Sequence, residues 1–150
     1  NVGQVVGQGN HRDGTVTAFM WENGVMHDLG LLAGDRYSRA RAINNLGQIV
    51  GESRLYTKDV DRSGGRSFIW DIHGGMRELV PMLRVSPKQQ KELARACAVF
   101  SINDHGQIFG INRHFPEADG HQCNFIMSDA LLGTSTHGNT VVPGSGHAKQ

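Results

Sequence analysis

Residues 59–64, Asp59-Val60-Asp61-Arg62-Ser63-Gly64, alternate oxygen-bearing side chains and close on a glycine. That resembles the front half of a calcium loop, because Ca²⁺ takes about 6–8 hard oxygen ligands, which such loops supply from alternating positions. An EF-hand would need a bidentate glutamate where this chain carries Trp70, so that motif is excluded. A calcium-binding hairpin is the reading that stays open, with Asp59, Asp61 and Ser63 as ligands and Asp71 as a late one. The plainer alternative is a polar turn, since the corresponding slots elsewhere hold Asp13-Gly14 and Asp119-Gly120. A second cluster gathers His114, Glu117, Asp119 and His121. Imidazole and carboxylate together could hold zinc or exchange protons, with His114, Asp119 and His121 the candidate catalytic groups. Their spacing matches no established zinc signature, and solvated loop histidines are the simpler explanation. His11 and Asp13 carry the same discount.

Nucleophile and nucleotide motifs fail on inspection. Gly133-Thr134-Ser135-Thr136-His137 lacks the final glycine of a nucleophile elbow. Gly7-Gln8-Gly9 lacks the third glycine and the following helix of a dinucleotide loop. Trp21 and Trp70 sit at equivalent strand ends and could line a ligand platform; aromatics repeated between stacked elements more often form core.

The elements that would position these residues follow from a repeat. Gly3-Gln4-Val5-Val6-Gly7 aligns with Gly47-Gln48-Ile49-Val50-Gly51 and Gly106-Gln107-Ile108-Phe109-Gly110, at offsets of 44 and 59 residues. The first of these phrases reads as a repeat whose beginning is cut off. A second phrase follows each: Ala18-Phe19-Met20-Trp21, Ser67-Phe68-Ile69-Trp70 and Asn124-Phe125-Ile126-Met127. A third follows twice, Gly24 to Leu29 and Gly75 to Leu79, and decays at Asp129-Ala130-Leu131-Leu132. Each phrase is short, β-branched or aromatic, and bounded by turn residues, which is strand chemistry. Glu22-Asn23-Gly24 carries the strongest short hairpin signal. Asn44-Asn45-Leu46-Gly47 and Asn103-Asp104-His105-Gly106 offer residues that tolerate positive φ. Paired apolar neighbours at Val5-Val6 and Ile49-Val50 predict a strand covered on both faces.

The expected fold is therefore all-β: repeated four-stranded antiparallel units, each resembling a propeller blade, in an incomplete ring. Strands are expected near 3–8, 16–21, 25–29, 37–43, 48–53, 66–70, 76–80, 99–102, 107–112 and 122–127. The second unit is longer by an insertion at 85–98, "VSPKQQKELARACA", which reads as one short helix near 87–97. Ser86 suits the N-cap, Pro87 the first turn and Gln89 a capping box. Leu93, Ala94, Ala96 and Cys97 form an apolar stripe that would cover an open sheet edge. Units fall at about 1–36, 37–98 and 99–133, making one domain over 1–133, and 134–150 is a flexible Gly/Ser/Thr-rich tail.

Composition narrows the partners. With 15 basic and 14 acidic residues, no strong field points to nucleic acid. No apolar run reaches the roughly 20 residues of a membrane helix. Cys97 and Cys123 lack metal-site spacing, and a disulfide or two free thiols both stay open.

The phrases carry a family resemblance. Ala18, Phe19, Trp21, Asn23, Gly24, Asp28, Leu29 and Gly30, then Ala42, Ile43, Asn44, Gly47, Gln48, Ile49, Val50 and Gly51, stand in the order of an HAF repeat. The chain resembles the HAF-repeat family of secreted bacterial proteins over about 1–80 and 99–127, departing at the helical insertion and at Met127 in place of tryptophan. The resemblance implies an extracellular or cell-surface β-repeat protein and supplies no catalytic residue. Two functions follow as expectations. One is a binding module presenting loops to a small molecule, glycan or protein, stabilised by calcium. The other is a calcium-dependent hydrolase of small esters, lactones or glycosides using the 59–64 or 114–121 loop. Bare sheet edges predict homo-oligomers.

Overall fold

The structure is a computed structural model and describes residues 3–55, 65–83, 86–112 and 123–127. The chain is mostly β. In order come β1 (Val5–Asn10), β2 (Val16–Glu22), β3 (Val25–Gly30), β4 (Tyr37–Ile43), β5 (Ile49–Arg54), β6 (Arg66–Asp71) and β7 (Gly75–Glu78). A 3-10 turn (Val80–Met82) and α1 (Pro87–Ala96) lead to β8 (Cys97–Ile102), β9 (Ile108–Asn112) and β10 (Cys123–Met127). Strands β1 to β3 form one antiparallel group and β4 to β7 another; a single parallel bridge, Val16 to Tyr37, joins them into one sheet. Strands β8 to β10 make a second sheet, and among the described residues neither sheet closes on itself.

Three pairings share one register. Val5, Val6 and Gly7 face Trp21, Met20 and Phe19. Ile49, Val50 and Gly51 face Trp70, Ile69 and Phe68. Ile108, Phe109 and Gly110 face Met127, Ile126 and Phe125. The glycine thus always lies opposite the phenylalanine, and the packing explains why. A Cβ on Gly51 would stand 2.6 Å from the Phe68 ring and 2.1 Å from the Arg39 carbonyl oxygen. Only a bare backbone lets that ring lie flat across the neighbouring strand. Phe68 is fully buried as a result.

The turn before each glycine is built by a side chain. Asn44 accepts bonds from the Leu46 and Gln48 amides and donates to Gln48 Oε1 at 2.7 Å. Asn103 makes the same set with His105 and Gln107. Positive φ falls only on Gly47 and Gly106 in these turns, so the asparagines serve through hydrogen bonds rather than backbone conformation. At Asn23-Gly24 both residues do take positive φ, as a tight two-residue hairpin demands. The two asparagine turns also touch. Asn44 Nδ2 donates to the Asn103 carbonyl at 3.0 Å, and Asn45 donates twice to the Asp104 carboxylate.

Two apolar layers separate the three strand groups. Ala18, Met20 and Leu29 pack against Ala40, Ile49 and Phe68, with Trp70 and Met76 at the margin. On the opposite face of β5 and β6, Val50, Ile69 and Leu79 pack against Val99, Ile102 and Ile108. Strand β5 is accordingly covered on both faces, Ile49 and Val50 being inaccessible. Strand β1 differs from the expectation, because Val5 is 54% exposed. Nothing among the described residues lies over its outer face.

Two further differences have local causes. The strand expected over 76–80 stops at Glu78, because Pro81 cannot donate to a ladder and turns the chain into the 3-10 segment. Ala94 of α1 is exposed, not part of an apolar stripe. Cys97 and Cys123 both pair with Asn112 from opposite sides of β9.

Candidate functional site

A groove of about 480 Å³ runs across the first strand of each of the three groups, lined by Val6, Gly7 and Gln8 of β1, Arg39, Ala40 and Arg41 of β4, and Phe100 of β8. Strand geometry places these residues. β4 and β8 each carry a bulge, between Ala40 and Ala42 and between Val99 and Ser101. The extra residue is Arg41 in one and Phe100 in the other, and a bulge re-aims its side chain out of the pleat. The two therefore meet: the Arg41 guanidinium lies 5.0 Å from the centre of the Phe100 ring. Glu52 of β5 holds Arg41 at 2.9 Å in a pair of low exposure, which neutralises that charge and fixes its position.

Arg39 is different. It is exposed, lines the same groove, and has no ion-pair partner among the described residues. Next to it, the Tyr37 hydroxyl donates to Gln8 Oε1. That bond uses the acceptor end of the Gln8 amide, and its NH₂ end has no partner among the described residues. Arg39 and Gln8 are thus both donors, and the Phe100 ring supplies an apolar face beside them. The arrangement suits an anionic group attached to a ring or other partly apolar body.

The residues singled out from the sequence fare differently. Asp59, Asp61 and Ser63 lie outside the described residues, as do His114, Glu117, Asp119 and His121. Asp71 is described and is already committed. Its carboxylate accepts from the His73 and Gly74 amides and pairs with Arg77, closing the β6–β7 turn. It thus serves as a turn former at the end of β6, and the 59–64 residues it was expected to join lie outside the described residues. Trp70 is half-buried against the first apolar layer, whereas Trp21 is 39% exposed. His11 bonds the Thr17 hydroxyl at 2.6 Å and lies 3.4 Å from Asp28. Asp13 caps its own turn through Thr15, and those bonds hold its carboxyl below the ordinary value. No three His, Cys, Asp or Glu side chains converge among the described residues. No helix among them is long and apolar enough to cross a membrane.

Reading the sequence for motifs missed Arg39, Gln8 and Phe100. The available signal was disagreement between the copies. At offsets of 44 and 59, Gln8 corresponds to Glu52 and Ile111, and Arg39 to Ala98. Residues that differ between otherwise equivalent strands are released from the repeat's packing and free to serve a site. No protein-family model, characterised protein sequence or solved structure matches the chain.

Proposed function

We propose that this chain is a secreted, non-catalytic β-repeat module of the HAF type, whose stacked units hold a groove for an acidic glycan or similar carboxylate ligand. The three strand groups are three copies of one antiparallel unit, packed face to face like propeller blades, with α1 set between the second and third. The shared register of the three glycine–phenylalanine pairings supports the repeat, and the bonds between equivalent turns, Asn44 to Asn103 and Asn45 to Asp104, support the stacking. The observation that carries the ligand reading is Arg39, a guanidinium with no ion-pair partner among the described residues, in a groove assembled from all three units. A sugar ring would lie against Phe100 while its carboxylate accepts from Arg39 and Gln8.

Calorimetric titration with galacturonate against galactose tests this. Galacturonate should bind in the millimolar range, roughly −4 kcal/mol, and galactose more weakly. A hydrogen bond to a charged group contributes about 1.5–3 kcal/mol, so Arg39→Ala should weaken galacturonate binding by roughly 10–100-fold. Equal affinity for the two sugars, or an unchanged Arg39→Ala isotherm, would remove the anion site.

A further inference from the structure

The donor set of the groove depends on one amide whose two ends have the same shape. Gln8 lines the groove with Arg39, and its NH₂ group has no partner among the described residues. Turned over, the same side chain would present its carbonyl oxygen there, and the site would favour a donor over a carboxylate. Whatever holds the amide one way round decides which ligands the groove accepts.

Tyr37 is placed to do so. It opens β4 two residues before Arg39, on the same face of the strand, while their neighbours Ser38 and Ala40 are buried. Its ring is not part of the groove wall. It lines a second cavity of about 290 Å³ with Gly14, Val16 and Arg36, and its hydroxyl reaches Gln8 Oε1. A phenol can donate or accept, so contact with Tyr37 does not by itself fix the amide. Arg54 makes the difference, its guanidinium lying 4.2 Å from the centre of the Tyr37 ring. A cation over the ring draws electron density from the phenol, so the hydroxyl becomes the better donor and the poorer acceptor. It takes the carbonyl end of Gln8 and leaves the N–H end to the groove. At the offset of 59 residues Tyr37 falls on Ala96, just as Arg39 falls on Ala98. The two thus belong to the groove and not to the repeated framework.

We infer that Tyr37, held as a donor by Arg54, is a specificity-determining residue that locks Gln8 as a donor toward the groove. This rests on the carboxylate-binding reading above. The selection works by rejection. A ligand amide in place of the carboxylate sets N–H against the N–H of Gln8 or of Arg39, or else turns Gln8 over and breaks its bond to Tyr37.

Galacturonate and its primary amide, galacturonamide, titrated separately into the 150-residue chain and followed by NMR, test this. The variant is Tyr37→Phe, which removes the hydroxyl and keeps the ring. Wild type should bind galacturonate more tightly than the amide. In Tyr37→Phe, galacturonate should weaken by no more than about twofold, because the competent orientation of Gln8 is then one of two. The amide should instead tighten roughly fivefold, as a typical hydrogen bond contributes, because Gln8 turns over without losing one. A merely structural role would weaken both ligands together. Arg54→Met, which keeps an apolar stem and removes the charge, should shift the amide the same way by a smaller factor. Equal weakening of both ligands, or an amide affinity unchanged in either variant, would overturn the inference and leave galacturonate binding by the groove standing. A wild type that prefers the amide would overturn it too, since Gln8 would then face the groove with its oxygen. If galacturonate fails to bind wild type, the groove reading falls and this inference with it.

Discussion

Gly7 and Gly51 occupy the same place opposite a phenylalanine, yet a methyl group would cost very different amounts at the two. At Gly7 the new Cβ meets only the tip of the Phe19 ring, at 2.9 Å, and that ring is half-buried and can swing. At Gly51 it meets the Arg39 carbonyl oxygen, a backbone atom between two covered strands. Overpacking of this sort typically costs about 1–3 kcal/mol and sometimes more. Gly51→Ala should destabilise at the top of that range, with Gly7→Ala well below it, as urea denaturation would measure. The Asn45–Asp104 contact gives a pH signature. Bonds from Asn45 hold the Asp104 carboxyl below its ordinary 3.8 in the folded chain. A carboxyl depressed on folding stabilises above its unfolded value, and that contribution is lost as pH falls through the lower folded value. Asp104→Ala should therefore melt lower than the wild type at neutral pH, with the gap closing in acid. The asparagines of both turns were legible as turn residues, but not their mechanism, because side-chain capping and positive φ favour the same residue type.

Strand limits followed the repeat closely, since a phrase of alternating β-branched and aromatic residues can satisfy its backbone only by pairing. What sequence patterning did not contain was the bulge at Arg41 and Phe100. A bulge leaves the apolar spacing nearly intact and changes only where one side chain points. The groove was invisible for that reason. The segment between β5 and β6 carries a prediction of its own. If Asp59, Asp61 and Ser63 hold calcium, the ion binds the folded chain alone and stabilises it by mass action, about 2.7 kcal/mol at a hundredfold excess over Kd. Melting should rise with calcium, fall back with chelator, and become indifferent to both in Asp59→Ala combined with Asp61→Ala. Ester or lactone turnover that tracks calcium would instead move the chain to the hydrolase class.

At the scale of the molecule, repetition explains both what the sequence made plain and what it hid. The glycine and the phenylalanine recur in all three phrases and the paired aliphatics in two, Ile108 being followed by Phe109 in the third; Ile49, Val50 and Phe68 are the ones seen buried between layers. Arg66 adds a polar tie between layers, reaching Asp35 at 3.0 Å and Glu78 at 3.1 Å. Gln8, Arg39 and Phe100 differ from their counterparts and line the groove beside Val6 and Gly7, which belong to the repeated phrase; they come from three strands far apart in the chain and meet only in the folded protein. Function is therefore tested by asking whether those three strands respond as one site. Titrating galacturonate into ¹⁵N-labelled protein and following the backbone amides by NMR does so directly. Amides of Gln8 in β1, Arg39 and Arg41 in β4, and Phe100 in β8 should shift together along one binding curve, and Arg39→Ala should flatten all of them. Shifts confined to one strand, shifts gathered outside the groove, or none at concentrations well above the millimolar range would contradict the assignment of this groove as the ligand site.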